Sequence, residues 1–205
     1  MNILYYKGFL IISLLVLFTF SCNENKEVSE NQHEFIRYDK LLFSIDTSKT
    51  ESQFSDIYQK YPTFTDIYFD KVMNFHNYDS LNTEFYHGLN SFVSDSLNIE
   101  LFKLVNSEYG YLSDIETDFN SAYNKLKTYF PDITKPKIYT FISIFNYQGF
   151  LFDDKDTDGI GIGLDMFLGD KFPYSNLASS NNEFSNYLIR TYNKDHLLKN
   201  IGAMA

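Results

Sequence analysis

Cysteine is nearly absent from this sequence: Cys22 is the one example in 205 residues. A single cysteine cannot close a disulfide within the chain, and four scattered histidines do not complete a zinc or iron site. We therefore expect no cofactor and no internal disulfide. If Cys22 has a role, it acts singly.

Positive charge is also scarce. The chain has 17 Lys and Arg against 27 Asp and Glu, giving a formal net charge of −10, and no run of basic residues stands out. Nucleic-acid binding needs a basic surface that neutralises phosphates. Nucleic acid is therefore not an expected partner.

Long apolar runs are missing except near the N-terminus. The run at residues 9–20 follows Lys7 and is shorter than the roughly 20 residues that a transmembrane helix needs. A basic residue followed by a short apolar core is typical of a signal peptide. We assign residues 1–21 to a signal peptide, and a retained membrane anchor is the alternative.

Cys22 follows this run directly after the small residue Ser21. The combination resembles a bacterial lipoprotein signal, in which the cysteine thiol is acylated and the cysteine becomes the first residue of the mature chain. Acyl chains hold a protein on a membrane because each buried methylene contributes about 0.8 kcal/mol. The alternative is a cleaved secretory signal with an incidental cysteine.

Residues 22–34 form a polar segment that has no aromatic side chain and one large apolar residue, Val28. Such a segment cannot bury enough surface to order itself, so we interpret it as a tether. From Phe35 the chain is rich in Phe, Tyr, Ile and Leu. Residues 35–205 have the length of a single domain.

The first half of this domain has the pattern of helices. We read "FIRYDKLLFSID" as an extended segment and "KTESQFSDIYQKYPTFTDIYFDKVMNF" as two short helices broken at Pro62. A later helix ends before Pro131 and has apolar residues every three or four positions, which predicts a face toward the core. These residues are Leu112, Ile115, Phe119, Tyr123, Leu126 and Phe130.

The second half has the pattern of strands. "IYTFISIF" is apolar on both alternating faces, as is typical of a strand buried on both sides. "GFLF" and "GIGIGLDMFLG" predict two more strands joined by "DDKDTD", and helical character returns near Glu183. We expect an α+β fold with a helical N-terminal half, a small antiparallel sheet and a C-terminal helix.

Glycines line one face of the last strand. Gly159, Gly161, Gly163 and Asp165 share this face because side chains alternate with period two. A bare face admits the close approach of another element. We expect a helix packed there and Asp165 bonded to nearby amides; a ligand cleft is the alternative.

The stretch "DKDTDGIGIGLD" resembles the spacing of an EF-hand calcium loop. Asp154, Asp156, Asp158, Gly159 and Asp165 occupy positions 1, 3, 5, 6 and 12. Aspartate replaces the usual glutamate at position 12, and an extended segment replaces the entering helix. A solvated acidic hairpin is the alternative interpretation.

Motifs of known catalytic chemistry are absent: the sequence contains no HExxH, no GxSxG and no phosphate-binding glycine loop. The histidines, His33, His76, His87 and His196, are not paired with one another. We therefore predict no catalytic residues.

Three stretches together resemble a known family. They are similar to the gliding-motility lipoprotein GldB of Bacteroidota, and they read "FIRYDKLLFSID", "YPTFTDIYFDKVM" and "YTFISIFNYQGFLFDD…GIGIGLDMFLGDKFPYS". Within the third stretch, "IGLDMFLG" is the most specific part. The resemblance covers residues 35–205, and Cys22 agrees with lipid anchoring. It implies a component of the gliding machinery, anchored to the membrane and facing the periplasm, with gliding or secretion-apparatus envelope proteins as partners.

The resemblance also carries expectations about the end of the chain. Family members extend further, and Leu197, Ile201 and Met204 still follow a helical stripe. We therefore expect an incomplete domain that leaves this stripe exposed.

The resemblance further implies a fold distantly similar to zinc metallopeptidases in which an HExxH helix follows an edge strand, but the last helix reads "KDHLLKN". A hydrolase related to these peptidases and a calcium-dependent binding module are the alternative functions.

Overall fold

The computed structural model describes residues 35–75, 78, 81–155, 157–177 and 184–204. The fold is α+β, as predicted. Its strands are β1 (Phe35–Arg37), β2 (Lys137–Phe141), β3 (Gly149–Asp154) and β4 (Thr157–Gly163). Its helices are α1 (Tyr38–Phe43), α2 (Thr50–Lys60), α3 (Pro62–Ile67), α4 (Thr83–Ser94), α5 (Ser96–Tyr109), α6 (Ser113–Tyr129), α7 (Asn186–Ile189) and α8 (Lys194–Met204). A π-helical turn, Tyr68–Val72, continues α3, and 3₁₀ turns follow β4 at Leu164–Phe167, Gly169–Lys171 and Tyr174–Leu177.

The described strands form one mixed sheet in the order β1-β2-β4-β3. β1, β2 and β4 run parallel, with Phe35 beside Ile138 and Ile138 beside Ile160, whereas β3 and β4 form an antiparallel hairpin. The predicted antiparallel sheet is therefore right for the hairpin and wrong for the other pairs. The helices between β1 and β2 return the chain to the same end of the sheet, as a parallel pair requires.

The extended segment predicted at the start of the domain is a strand for three residues and then a helix. β1 ends at Arg37, and α1 begins at Tyr38. Tyr38, Leu42 and Ile45 are buried, and their spacing of four and three is helical. The prediction of a wholly extended segment was wrong, because the buried residues of this segment follow a helical period after Arg37.

Pro62 separates α2 from α3, as predicted. It is the first residue of α3, a position where the missing N–H breaks no helical hydrogen bond and the fixed φ suits the helix.

Helix α6 directs most of its predicted stripe into the core. Ile115, Phe119 and Tyr123 are buried, which confirms the prediction for these turns. Phe130, just past the helix end, is 60% exposed. The stripe therefore leaves the core at the carboxyl end of α6.

Both faces of the sheet are buried, as the pattern of β2 predicted. Ile138 and Ile160 pack in a cluster with side chains of α5, α6 and α8. Tyr139 and Phe141 pack on the other face with side chains of α1 to α4. The sheet thus lies between two layers of helices, a stable way to bury both of its faces.

Aromatic rings of the neighbouring strand β3 cover the glycine-lined face of β4. A Cβ atom on Gly159 would lie 2.2 Å from the ring of Phe152, and one on Gly161 would lie 2.8 Å from the ring of Phe150. Phe64 of α3 then stacks on Phe150, with ring centroids 6.1 Å apart. The expected helix is present, but it packs on this aromatic layer rather than directly on the glycines.

The β3–β4 hairpin extends into the segment predicted to be its connection. Asp154 pairs with Thr157 in register, so part of "DDKDTD" lies within the strands. Asp154 is buried and accepts hydrogen bonds from Tyr139 Oη (2.6 Å) and Lys137 Nζ (3.1 Å). The prediction that these residues lie outside the sheet was wrong, because these partners satisfy the buried carboxylate.

The C-terminal region is helical, as predicted, with a break between α7 and α8. Leu197 is 1% exposed and packs in the core with β4, so its predicted exposure was wrong. The side chains of Ile201 and Met204 lie outside the described residues. Within the part of the chain that the structure describes, no helix is long and apolar enough to cross a bilayer.

Candidate functional site

Polar side chains gather where the parallel strands end. Because β1, β2 and β4 run in the same direction, their carboxyl ends meet at one edge of the sheet. Asp39, Ser143 and Asp165 follow these three strands, and all are buried. In open sheets with parallel strands, ligands bind outside this edge.

Asp165 fixes the loop that follows β2, residues 142–148. Its carboxylate accepts hydrogen bonds from the backbone N–H of Ser143 (2.9 Å) and of Phe145 (2.6 Å), and from the Ser143 hydroxyl (3.1 Å). Burial raises the pKa of Asp165 to about 6, while the hydrogen bonds from Phe145 and Ser143 oppose that rise. The predicted bonding of Asp165 to nearby amides is confirmed.

The 142–148 loop has a backbone conformation that needs this support. Ile144 has φ 54° and Phe145 has φ 63°, in the left-handed region that β-branched residues rarely adopt. The Ser143 hydroxyl accepts the N–H groups of Asn146 and Tyr147, each at 3.1 Å. Asp165 and Ser143 thus hold a strained loop in one shape.

Asp39 is the other buried carboxylate at this edge. Arg37 donates to it through two nitrogens, at 2.9 and 2.6 Å, and Thr140 Oγ1 donates at 2.7 Å. Arg37 also donates to the carbonyl of Tyr109, the last residue of α5. The Asp39–Arg37 pair is therefore satisfied and joins β1 to α5.

The 142–148 loop and α5 line an open groove of about 1160 Å³. Its apolar lining includes Leu97, Leu101, Leu104, Phe145 and Phe172. Leu97 is 73% exposed and adds apolar surface to the groove. The charged rim carries both signs, from Asp95, Glu100, Lys103 and Lys171. An apolar segment of a partner fits such a groove better than a strongly charged ligand.

The sequence interpretation did not predict the groove. Leu97, Leu101 and Leu104 are spaced by four and three residues, and Leu101, Val105 and Tyr109 follow a second helical stripe. The stripe that contains Val105 and Tyr109 is buried in the core. The other stripe faces the groove through Leu97 and Leu104. Two apolar stripes on one helix were the available signal.

A comparison with known protein families shows which family the chain belongs to. A family model described as "Gliding motility protein GldB" matches residues 21–204. The chain belongs to the GldB family. Members are gliding-motility lipoproteins, so this chain is related to gliding motility and to the membrane-anchored proteins of the cell envelope. Comparisons with curated proteins and with solved structures gave no match.

Helix α8 of this GldB-family chain reads "HLLKN" at residues 196–200, where a zinc peptidase motif would read HExxH. Leu197 is at the glutamate position and is buried in the core. Asn200 is at the second histidine position and donates to Gln148 Oε1 at 3.1 Å. His196 Nδ1 lies 2.9 Å from Asn193 Oδ1. The helix thus has one of the three side chains that this chemistry needs.

Ser143 does not have the surroundings of a serine nucleophile. A nucleophile needs an accessible hydroxyl and an adjacent general base. The Ser143 hydroxyl is buried and accepts two backbone N–H groups, and the Asp165 carboxylate to which it donates also accepts the backbone N–H groups of Ser143 and Phe145. The Ser143–Asp165 pair therefore shapes the loop.

The predicted calcium residues lie at separate places in the GldB-family fold. Asp154 and Asp165 flank opposite ends of β4, whose seven residues span about 23 Å. Asp158 is exposed beside Thr134 Oγ1 (3.4 Å). Asp156 lies outside the described residues. Among those that are described, no group of three or more His, Cys, Asp or Glu side chains could hold a metal ion.

Some predicted features lie outside the described residues, namely Cys22, the tether at residues 22–34, His33 and His76. Cys22 does fall within the family match, which begins at residue 21.

Proposed function

We propose that this GldB-family chain is a periplasm-facing lipoprotein, anchored through acylated Cys22, that serves the gliding machinery as a binding component without catalysis. The family match carries this proposal, because it extends from residue 21 to residue 204 and includes the cysteine. The basic start, short apolar core and small Ser21 before Cys22 support acylation at that position.

The side-chain chemistry at the carboxyl edge supports a role without catalysis. Asp39 and Asp165 are both buried and engaged by several donors. A general base must reach the proton that it removes, directly or through one water. Carboxylates enclosed in this way shape the protein, and we assign them that role.

The groove beside α5 supports partner binding. We assign to it an envelope protein of the gliding machinery that inserts an apolar segment against Leu97 and Leu104. Interfaces bury an apolar centre inside a polar rim, and the groove has this arrangement.

Metabolic labelling with a fatty-acid analogue tests the anchor. The full chain should incorporate the label and stay with membranes after a carbonate wash. The Cys22→Ser variant should incorporate none, because serine lacks the thiol that is acylated. Equal labelling of both chains would show that the acyl group is not on Cys22.

Hydrolysis assays on the purified full chain test the absence of catalysis. We expect no turnover of peptide or ester substrates above the buffer rate. Turnover that a chelator abolishes would instead support a zinc hydrolase.

A further inference from the structure

The carboxyl end of α6 and the loop after it form an aromatic–lysine patch, which we define as Lys125, Lys127, Tyr129, Phe130 and Lys135. Tyr129 is 80% exposed and Phe130 is 60% exposed. Large aromatic side chains next to lysines are typical of surfaces that lie at a membrane–water interface.

The charge of the patch differs from that of the rest of the chain. The first half of α6 carries Asp114, Glu116 and Asp118, whereas its second half carries Lys125 and Lys127. Burial, with a smaller effect from the charge of Lys127, lowers the pKa of Lys135. In a chain of net charge −10, this is a local concentration of positive charge.

Acidic groups at the same edge of the sheet reduce this attraction. Asp132 lies in the same loop, and Asp158 lies beside Thr134. The exposed Asp153 pairs with Asp158 across the hairpin, and Thr157 Oγ1 donates to the carbonyl of Lys135 (2.6 Å), so the hairpin lies directly beside the loop. The patch itself carries three lysines and two aromatic side chains.

The course of α6 places the patch at the amino end of the parallel strands. Gly110, just before α6, accepts a hydrogen bond from Lys40 Nζ (2.9 Å), near the carboxyl end of β1. Further along, Phe119 meets the first residue of β1, Phe35, with ring centroids 5.9 Å apart. Tyr129 is ten residues beyond Phe119, or about 15 Å along the helix. The helix therefore continues past the amino end of β1.

The amino end of β1 is also where the chain arrives from Cys22. Cys22 stands 13 residues before Phe35, and 13 residues of fully extended chain span at most about 45 Å. If Cys22 is acylated, the bilayer is always within that distance of this edge. Confinement of this kind raises the effective concentration of the bilayer, so a patch of modest affinity is sufficient.

We propose that the aromatic–lysine patch docks on an anionic phospholipid surface, with Tyr129 and Phe130 entering the headgroup region and the lysines contacting lipid phosphates. The proposal rests on the proposed acylation of Cys22. It adds an orientation: the carboxyl end of α6 faces the bilayer.

Depth-dependent fluorescence quenching tests this on the full acylated chain. Acylation blocks Cys22, so Phe130→Cys provides a single free thiol for an environment-sensitive fluorophore. Tyr111→Cys is the matched control, because Tyr111 is 91% exposed and precedes the opposite end of α6. Each labelled chain is placed in vesicles of phosphatidylethanolamine and phosphatidylglycerol with brominated acyl chains.

We expect several-fold stronger quenching of the label at position 130 than at position 111, and little quenching of either in phosphatidylcholine. Replacing Lys125 or Lys127 by glutamine should lower the ratio of docked to undocked domain about 5-fold per lysine. Equal quenching at positions 130 and 111 in an anchored chain would overturn the proposal. The proposal would also be overturned if the label at position 130 were shielded from solvent in native envelopes but not in pure lipid vesicles, because a protein would then cover the patch.

The same preparation separates this proposal from the anchor on which it rests. If Cys22 is not acylated, the unsubstituted chain itself takes up the thiol-reactive label, and the proposed function fails. If that chain takes up no label and remains with the vesicles, the quenching result concerns the patch alone.

Discussion

At the scale of single residues, Asp165 shows how a buried charge can serve structure. Two backbone N–H groups and one hydroxyl converge on its carboxylate and hold Ile144 and Phe145 at positive φ. Ile144 and Phe145 then line the groove. The shape of the proposed partner site therefore depends on a residue that no partner touches.

The raised pKa of Asp165 predicts how the free energy of unfolding changes with pH. Burial raises its pKa to about 6, whereas an aspartate in an unfolded chain titrates near about 3.9. Between these values the folded chain binds more protons than the unfolded chain, so the free energy of unfolding falls as pH rises from about 4 to about 6. The contribution of this group is about 3 kcal/mol.

Urea unfolding between pH 4 and pH 7 measures this effect. The Asp165→Asn variant should lack the decrease that Asp165 contributes, since asparagine does not titrate. Asp153→Asn is the control, because Asp153 is exposed, and it should keep the wild-type dependence. Identical pH dependence in wild type and Asp165→Asn would show that Asp165 titrates alike in the folded and unfolded chains.

At the scale of elements, the glycines of β4 are required for close approach. A Cβ atom on Gly163 would lie 2.0 Å from the carbonyl oxygen of Tyr147, and one on Gly159 would meet the ring of Phe152. A backbone carbonyl cannot move without moving the 142–148 loop, whereas a ring can shift within its layer. A side chain at position 163 would therefore disturb the surrounding packing more than one at position 159.

We predict that Gly163→Ala lowers the free energy of unfolding by about 3 kcal/mol and Gly159→Ala by about 1 kcal/mol, as overpacked sites do. Gly202→Ala is the control, because no atom lies within 4 Å of its added Cβ and alanine favours a helix. Denaturant unfolding of the three variants measures the order. A Gly163→Ala chain as stable as wild type would mean that the close approach is absent.

Sequence patterns predicted the elements better than their pairing. The stripe of α6, the break at Pro62 and the doubly buried β2 all follow from local periodicity. The direction of β1 relative to β2 does not, because residues 35 and 138 are neighbours only after the helices between them have packed.

The candidate site was predicted only in part for the same reason. Asp165 was expected to bond to amides, but nothing in the sequence shows that those amides belong to Ser143 and Phe145, on a loop with positive φ at Ile144. The rings that cover the glycines were likewise not predicted, because Phe150 and Phe152 reach them across strands. Contacts made between distant segments leave no local period.

At the scale of the whole molecule, the proposed membrane surface and the proposed partner groove belong to opposite edges of the sheet. The aromatic–lysine patch lies past the amino ends of the parallel strands, whereas the 142–148 loop follows the carboxyl end of β2. A domain docked through the patch would therefore present the groove away from the bilayer. That arrangement suits a protein that links the membrane to a periplasmic partner.

Leu97→Glu tests the groove. Leu97 is 73% exposed, so the substitution should change stability by less than about 0.5 kcal/mol. A charge in the apolar lining should weaken partner binding and slow colony spreading. Cells with Tyr111→Glu, at a more exposed position outside the groove, should spread normally. Normal spreading by the cells with Leu97→Glu as well would show that gliding does not need the groove.

Colony spreading by the source bacterium, after Cys22→Ser is introduced into the chromosome, tests most directly whether gliding requires the lipid anchor. We predict a chain that accumulates to the wild-type level, carries no fatty-acid label and no longer supports spreading. Spreading at the wild-type rate by cells whose chain carries no label would contradict the claim that this GldB-family protein acts as a lipid-anchored component of the gliding machinery.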